Sequence, residues 1–81
     1  MISIKVLGPG CANCEKLESL TRLAASNLGL AAQIEKVTDF AEIMQYNMLA
    51  TPGLVIDEQL VSAGRIPSEG EITTWLVNTQ A

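Results

Sequence analysis

At 81 residues the chain has room for one domain, and 48% of it is apolar, which excludes disorder as the default state. Phe40, Tyr46 and Trp75 are the only aromatics, so the core has to be aliphatic. A net charge of −4, with five scattered Lys and Arg, argues against a nucleic-acid partner, and no apolar run approaches the roughly 20 residues of a membrane helix. The start, Met1-Ile2-Ser3-Ile4-Lys5, lacks the basic and then apolar pattern of a secretory signal. A cytoplasmic protein is therefore expected, and the leading Met argues against a processed precursor.

Ile2 to Leu7 alternates apolar residues with Ser3 and Lys5 and stops at Gly8-Pro9-Gly10, which predicts a strand ended by a breaker. The period then changes. Cys14, Leu17, Thr21, Ala24, Ala25 and Leu28, with Leu20, recur at steps of three and four, opposite Glu15, Lys16, Glu18 and Arg22. This predicts an amphipathic helix of about four turns stopping at Gly29. Ala31 to Val37 reads as a second strand, placed at a sheet edge by Gln33, Glu35 and Lys36. Asp39 and Glu42 have capping-box spacing, and the stripe Phe40, Ile43 and Met44 predicts a short buried-faced helix ending near Tyr46-Asn47.

Gly53–Ile56 and Leu60–Ala63 flank Asp57-Glu58-Gln59 and predict an antiparallel hairpin, with Glu58 or Gln59 at positive φ because the turn holds no Gly. Ser68 and Glu71 repeat the capping-box spacing ahead of Ile72, Trp75 and Leu76, a final helix. The order is strand, helix, strand, helix, strand, strand, helix. One α/β domain over residues 1–81 follows, with a four-stranded sheet, its first two strands parallel, and helices on both faces.

Cys11-Ala12-Asn13-Cys14 directly follows a strand and its break, at the opening of a helix. Disulfide exchange needs a thiolate, and a free thiol titrates at about 8.5. The unpaired N–H groups and positive dipole of a helix start favour the anion. Cys11, at the exposed end, is expected to be the nucleophile, and Cys14, on the apolar face one turn on, the resolving thiol. Ala12 and Asn13 stand where the intervening dipeptide tunes redox potential.

Three other uses of the pair remain open. A structural staple would close too small a loop to gain much chain entropy. A zinc site wants four ligands, and the chain has two Cys and no His. A soft-metal delivery module, copper or zinc, needs only the two thiolates and also places CxxC between a first strand and a first helix. Such modules run strand, helix, strand, strand, helix, strand, and usually carry Met where this chain has Pro9.

Thr51-Pro52 stands immediately before the third strand, where an isolated X-Pro reads as a strand-starting proline. Together with the cysteine pair and the element order, it resembles the thioredoxin superfamily over essentially the whole chain. Gly8–Cys14, Val37-Thr38-Asp39, Thr51-Pro52 and Ser62–Pro67 are similar to its small two-cysteine, redox-active disulfide group. The resemblance implies a minimal thioredoxin-like fold, βαβαββα with a mixed sheet, and a cis Pro52 packed against the cysteines. It also implies that the Thr51 backbone pairs with substrate peptide. Gly64 and Gly10 are further expected substrate-binding residues.

The implied activity is dithiol–disulfide exchange on protein or small disulfides, with no cofactor and no metal. Electrons would come from a thioredoxin-reductase-like enzyme or a low-molecular-weight thiol. The group's association with membrane permeases makes a permease a further candidate partner, and a non-catalytic redox-sensing adaptor of one an alternative role. The chain departs from thioredoxin itself in lacking Trp before Cys11 and Gly-Pro between the cysteines. Where the family buries an acid beneath the pair, counting back along the first strand reaches Lys5, which stands either near the thiols or solvated at the strand edge. Glutathione binding finds only Lys16 and Arg65 for its carboxylates, and Arg65 alone reads as a solvated surface charge. Met44 and Met48 read as core filler before soft-metal ligands. Tyr46 belongs either near the site or at the core edge.

Overall fold

The structure, a computed structural model, describes residues 2–47 and 50–80, without the Gln80 side chain. The reading of Met1 as a start and that of Met48 lie outside the described residues. Seven elements run in the expected order: β1 (Ile2–Leu7), α1 (Ala12–Asn27), β2 (Ala32–Val37), α2 (Phe40–Met44), β3 (Gly53–Ile56), β4 (Gln59–Ala63) and α3 (Glu69–Gln80). They form a four-stranded sheet in the order β2-β1-β3-β4. β1 is parallel to β2 and antiparallel to β3, and β3 is antiparallel to β4. β2 is an edge, as its charged residues suggested. This order differs from that of the soft-metal delivery modules.

Alternation along β1 builds two cores. Ile2, Ile4 and Val6 join Leu54 and Ile56 of β3 under α1 and α3, which contribute Leu17, Ala24, Ala25, Ile72 and Leu76. Leu7 and Val55 meet Val37 and Ile43 in a smaller cluster that Tyr46 closes at its rim. Helices therefore cover both faces. The apolar stripe of α1 is buried as its period requires: Cys14, Leu17, Thr21, Ala24 and Ala25 are all inward. Gly29, at φ +66°, ends that helix. Among the described residues no helix is long and apolar enough to cross a membrane.

Two local expectations need correction. α2 turns only Ile43 inward, and Phe40 and Met44 stand 69% and 60% exposed. A helix of five residues presents one inward position to so small a cluster, and Tyr46 fills the space that Met44 was expected to take. In the hairpin, β4 already starts at Gln59, so the connection is Asp57-Glu58 alone, with φ of +48° and +68°. A two-residue turn needs both residues left-handed to match strand twist. Asp57 supports this turn by accepting from the Ser3 amide at 3.1 Å, while its own amide donates to the Ser3 carbonyl at 2.8 Å.

The second capping box is complete. The Glu71 amide donates to Ser68 Oγ and the Ser68 amide to Glu71 Oε1, both at 3.1 Å. Arg65 adds a two-pronged ion pair to the same carboxylate at 3.1 and 2.8 Å, so it is surface-exposed but not merely solvated. The Arg65 guanidinium first, and then the Ser68 amide, hold the Glu71 carboxyl down at about 2. Because the folded value lies below the ordinary 4.5, its contribution is present above about 4.5 and is lost as pH falls through about 2. Urea midpoints measured from pH 5 downward should fall less steeply in Glu71→Gln than in the parent chain. The first capping box is half made: Asp39 Oδ1 accepts from the Ala41 amide at 3.0 Å.

Candidate active site

The site forms where β1 runs out. Gly8 extends the β1–β2 ladder by one bond, its amide donating to the Val37 carbonyl at 2.9 Å. The chain then leaves the sheet through Pro9 and Gly10, the latter at φ +93°, a backbone shape that favours glycine. This delivers Cys11 as the N-cap of α1, in extended conformation at φ −73° and ψ 167°. The Cys11 carbonyl accepts from the Glu15 amide at 3.1 Å, and its sulfur accepts from the Cys14 amide at 3.2 Å. The N-cap side chain thus takes one of the orphan amides that Ser or Asp would usually satisfy. A negative charge on this sulfur would face amide hydrogens and the positive helix end.

Cys14, the third residue of α1, points the other way and is 5% exposed. The two sulfurs are joined in a disulfide, with Cα atoms 5.0 Å apart. One sulfur is thus presented to solvent and the other shielded beneath it. Ala12 and Asn13 are both exposed in the first turn between them.

The Thr51–Pro52 peptide bond is cis, with Pro52 buried and Thr51 half-buried. Gly8 links this segment to the cysteines. A Cβ placed on Gly8 would collide with Cys14 Sγ and lie 3.9 Å from the Thr51 Cβ, so the glycine is wedged between the two halves of the site. Gly64, at φ +79°, donates its amide to the Pro52 carbonyl at 2.9 Å, and a Cβ there would sit 3.3 Å from that of Ala50. Cys11, Cys14, Thr51, Pro52 and Gly64 are therefore gathered at one end of the sheet. Gly10 is exposed and would have no neighbour within 4 Å of an added Cβ, so it shapes the loop without touching the other half.

Lys5 takes neither of its expected places. β1 is an inner strand, and the Lys5 ammonium is held by Glu58 at 2.9 Å and Tyr46 Oη at 3.1 Å. The Glu58 contact first, and then that to Tyr46, raises the Lys5 pKa above its ordinary value. Tyr46 accordingly belongs to the core edge. Arg65 is committed to Glu71, which weakens the basic pair considered for glutathione.

Sequence reasoning missed Gly8, reading it only as part of a breaker. It also missed Glu15, Lys36 and Thr38, which line a small hollow against Cys14 with Gly8 and Gly10. A glycine directly behind a half-buried cysteine motif was the available signal. The approach of Lys36 depends on sheet pairing and had none. A larger depression, among Ile56, Gln59, Val61 and Trp75, lies at the β3–β4 hairpin end and holds no cysteine.

Comparison with known proteins agrees with this geometry. The family described as Thioredoxin domain matches residues 2–77. A thioredoxin of Methanothermobacter thermautotrophicus is 40% identical over 72 residues, 89% of this chain and 94% of that protein. A thioredoxin of Methanocaldococcus jannaschii is 39% identical over 72 residues, 89% of this chain and 83% of that protein. Among solved structures, the germline-specific thioredoxin Deadhead of Drosophila melanogaster superposes with a TM-score of 0.65 at 17% identity, over 95% of this chain and 79% of that one. Oxidised thioredoxin from Plasmodium falciparum gives 0.63 at 12% identity, over 99% of this chain and 82% of that one. These two likenesses concern the fold. With the family match and the two archaeal relatives added to a cysteine pair at the head of α1, the chain belongs to the thioredoxin family and is a thiol–disulfide oxidoreductase.

Proposed function

We propose that the chain reduces protein disulfides with Cys11 as nucleophile and Cys14 as resolving thiol. The observation that carries these roles is the asymmetry of the pair, an exposed N-cap sulfur above a sulfur that is 5% exposed. In the first step the Cys11 thiolate attacks one sulfur of the target disulfide. A Cys11–target bond forms, the target's S–S bond breaks, and the released thiolate takes a proton from solvent. The Cys14 thiolate then attacks the Cys11 sulfur, forms the internal disulfide and expels the second target thiolate. Two electrons pass to the target, and no cofactor enters the cycle.

Thr51, Pro52 and Gly64 form the floor against which the target segment lies. The Thr51 backbone offers strand-like pairing, the cis Pro52 keeps the chain close to the pair, and Gly64 leaves room for the peptide. Gly10 gives the loop its shape, and Ala12 and Asn13 set the potential of the pair.

Thioredoxins act on disulfide-bearing proteins and are recharged by thioredoxin reductase, and this chain shares their family. A reductase of that kind, or a low-molecular-weight thiol, is the proposed electron donor. The relatives give a permease partner no support. We place the chain in the cytoplasm, where the thiol pool returns such pairs to the dithiol, and treat residues 1–81 as one domain.

Turbidity from insulin reduced by dithiothreitol tests the roles. Cys11→Ser should fall to the uncatalysed rate. Cys14→Ser should lose turnover yet retain a covalent adduct through Cys11, visible on a non-reducing gel. Activity left intact in Cys11→Ser would end this reading.

A further inference from the structure

Building on that reading, we propose that Lys36 is the cation that helps the resolving thiol, Cys14, to ionise. A shielded thiol resists losing its proton, because burial disfavours the anion. The Cys14 sulfur borders a hollow between the start of α1 and the end of β2, of a size to admit about one water molecule. Val6, Gly8, Gly10 and Thr38 contribute no charge to this hollow, so the titratable groups facing Cys14 there are Glu15 on α1 and Lys36 on β2.

Their surroundings tip the balance. The Lys36 ammonium lies 3.1 Å from Glu18 Oε1, and the Arg22 guanidinium lies 2.8 Å from the other oxygen of the same carboxylate. Two cations share one anion, which leaves a surplus positive charge beside the hollow, with Glu15 opposing it from the mouth. Lys5 sends its ammonium instead to Glu58 and Tyr46. During resolution the Cys14 proton leaves to solvent through this hollow. The thiolate bonds to the Cys11 sulfur, the bond from Cys11 to the target breaks, and the departing thiolate is protonated by solvent.

The test is stopped-flow reaction of the reduced protein with the chromogenic disulfide dithiobis(nitrobenzoate). The first release of chromophore reports Cys11, and the second reports attack by Cys14 on the mixed disulfide. Lys36→Met should slow the second phase about threefold at neutral pH and move its pH profile upward by about half a unit, leaving the first phase unchanged. Lys36→Arg should restore the parent profile, Glu15→Gln should speed the second phase, and high salt should erase the difference made by Lys36. A second phase in Lys36→Met that superimposes on the parent at every pH would overturn the proposal. So would an equal slowing of both phases. A parent protein with no second phase at all would refute the role of Cys14 itself, and this inference with it.

Discussion

Gly8→Ala should shift the dithiol–disulfide equilibrium of the chain about tenfold toward the dithiol, or about 30 mV, against a glutathione buffer. The added methyl group would occupy the space of Cys14 Sγ, with Thr51 behind it. Forcing a methyl into a packed site costs about 1–3 kcal/mol, and 1.4 kcal/mol is a factor of ten. Most of that cost falls on one redox state. In the disulfide the Cys14 sulfur is tethered to Cys11 and has nowhere to go, whereas the free thiol turns about its own χ1 and clears the methyl. The oxidised form is therefore penalised more than the reduced one. Alkylation with mass readout across a series of glutathione ratios gives the constant directly. An unchanged constant would mean that the sulfur and Gly8 are not in the contact described.

Leu54→Ala has the larger effect on stability. Leu54 is fully buried in β3, pairs with Val6 of β1 and joins the cluster that holds α1 and α3 to the sheet. Such truncations cost about 2–5 kcal/mol, while a domain of this size is stable by roughly 4–12 kcal/mol in total. A large part of the margin disappears, and the urea midpoint should fall by a third or more of its parent value. Leu54 begins two residues after Pro52, so loosening β3 also loosens the Thr51–Pro52 side of the site. Turnover of insulin should drop further than the folded fraction accounts for. If the midpoint scarcely moved, the cluster under α1 and α3 would not be the main core.

Much of this was readable from residue order, for identifiable reasons. The change of period from two to three and four across Gly8-Pro9-Gly10 fixes where β1 ends and α1 starts, and that boundary locates the cysteines. Local chemistry also reports itself: Ser68 with Glu71 forms the capping box that its spacing announces. What failed was long-range. Phe40 and Met44 have the spacing of a buried stripe, but how much of a five-residue helix is covered depends on how much sheet lies under it. Lys5 looked like an edge residue because nothing local says that β3 will pair on its other side. The exclusion of any side chain at Gly8 comes from a sulfur six positions away and a threonine more than forty away. The left-handed turn was expected one residue late, at Glu58 or Gln59 instead of Asp57-Glu58, since no glycine marks it.

Both halves of the reactive centre hang from the interior of the sheet. β1 leads into Cys11 and Cys14, and β3 leads out of Pro52, while β2 and β4 flank them. The outer ladders can breathe, acquire insertions or diverge between relatives while the geometry between sulfur and proline is held by the Leu7–Gly53 pairing at its base. Lineages are thereby free to remodel target preference at the periphery without renegotiating the electron transfer at the centre.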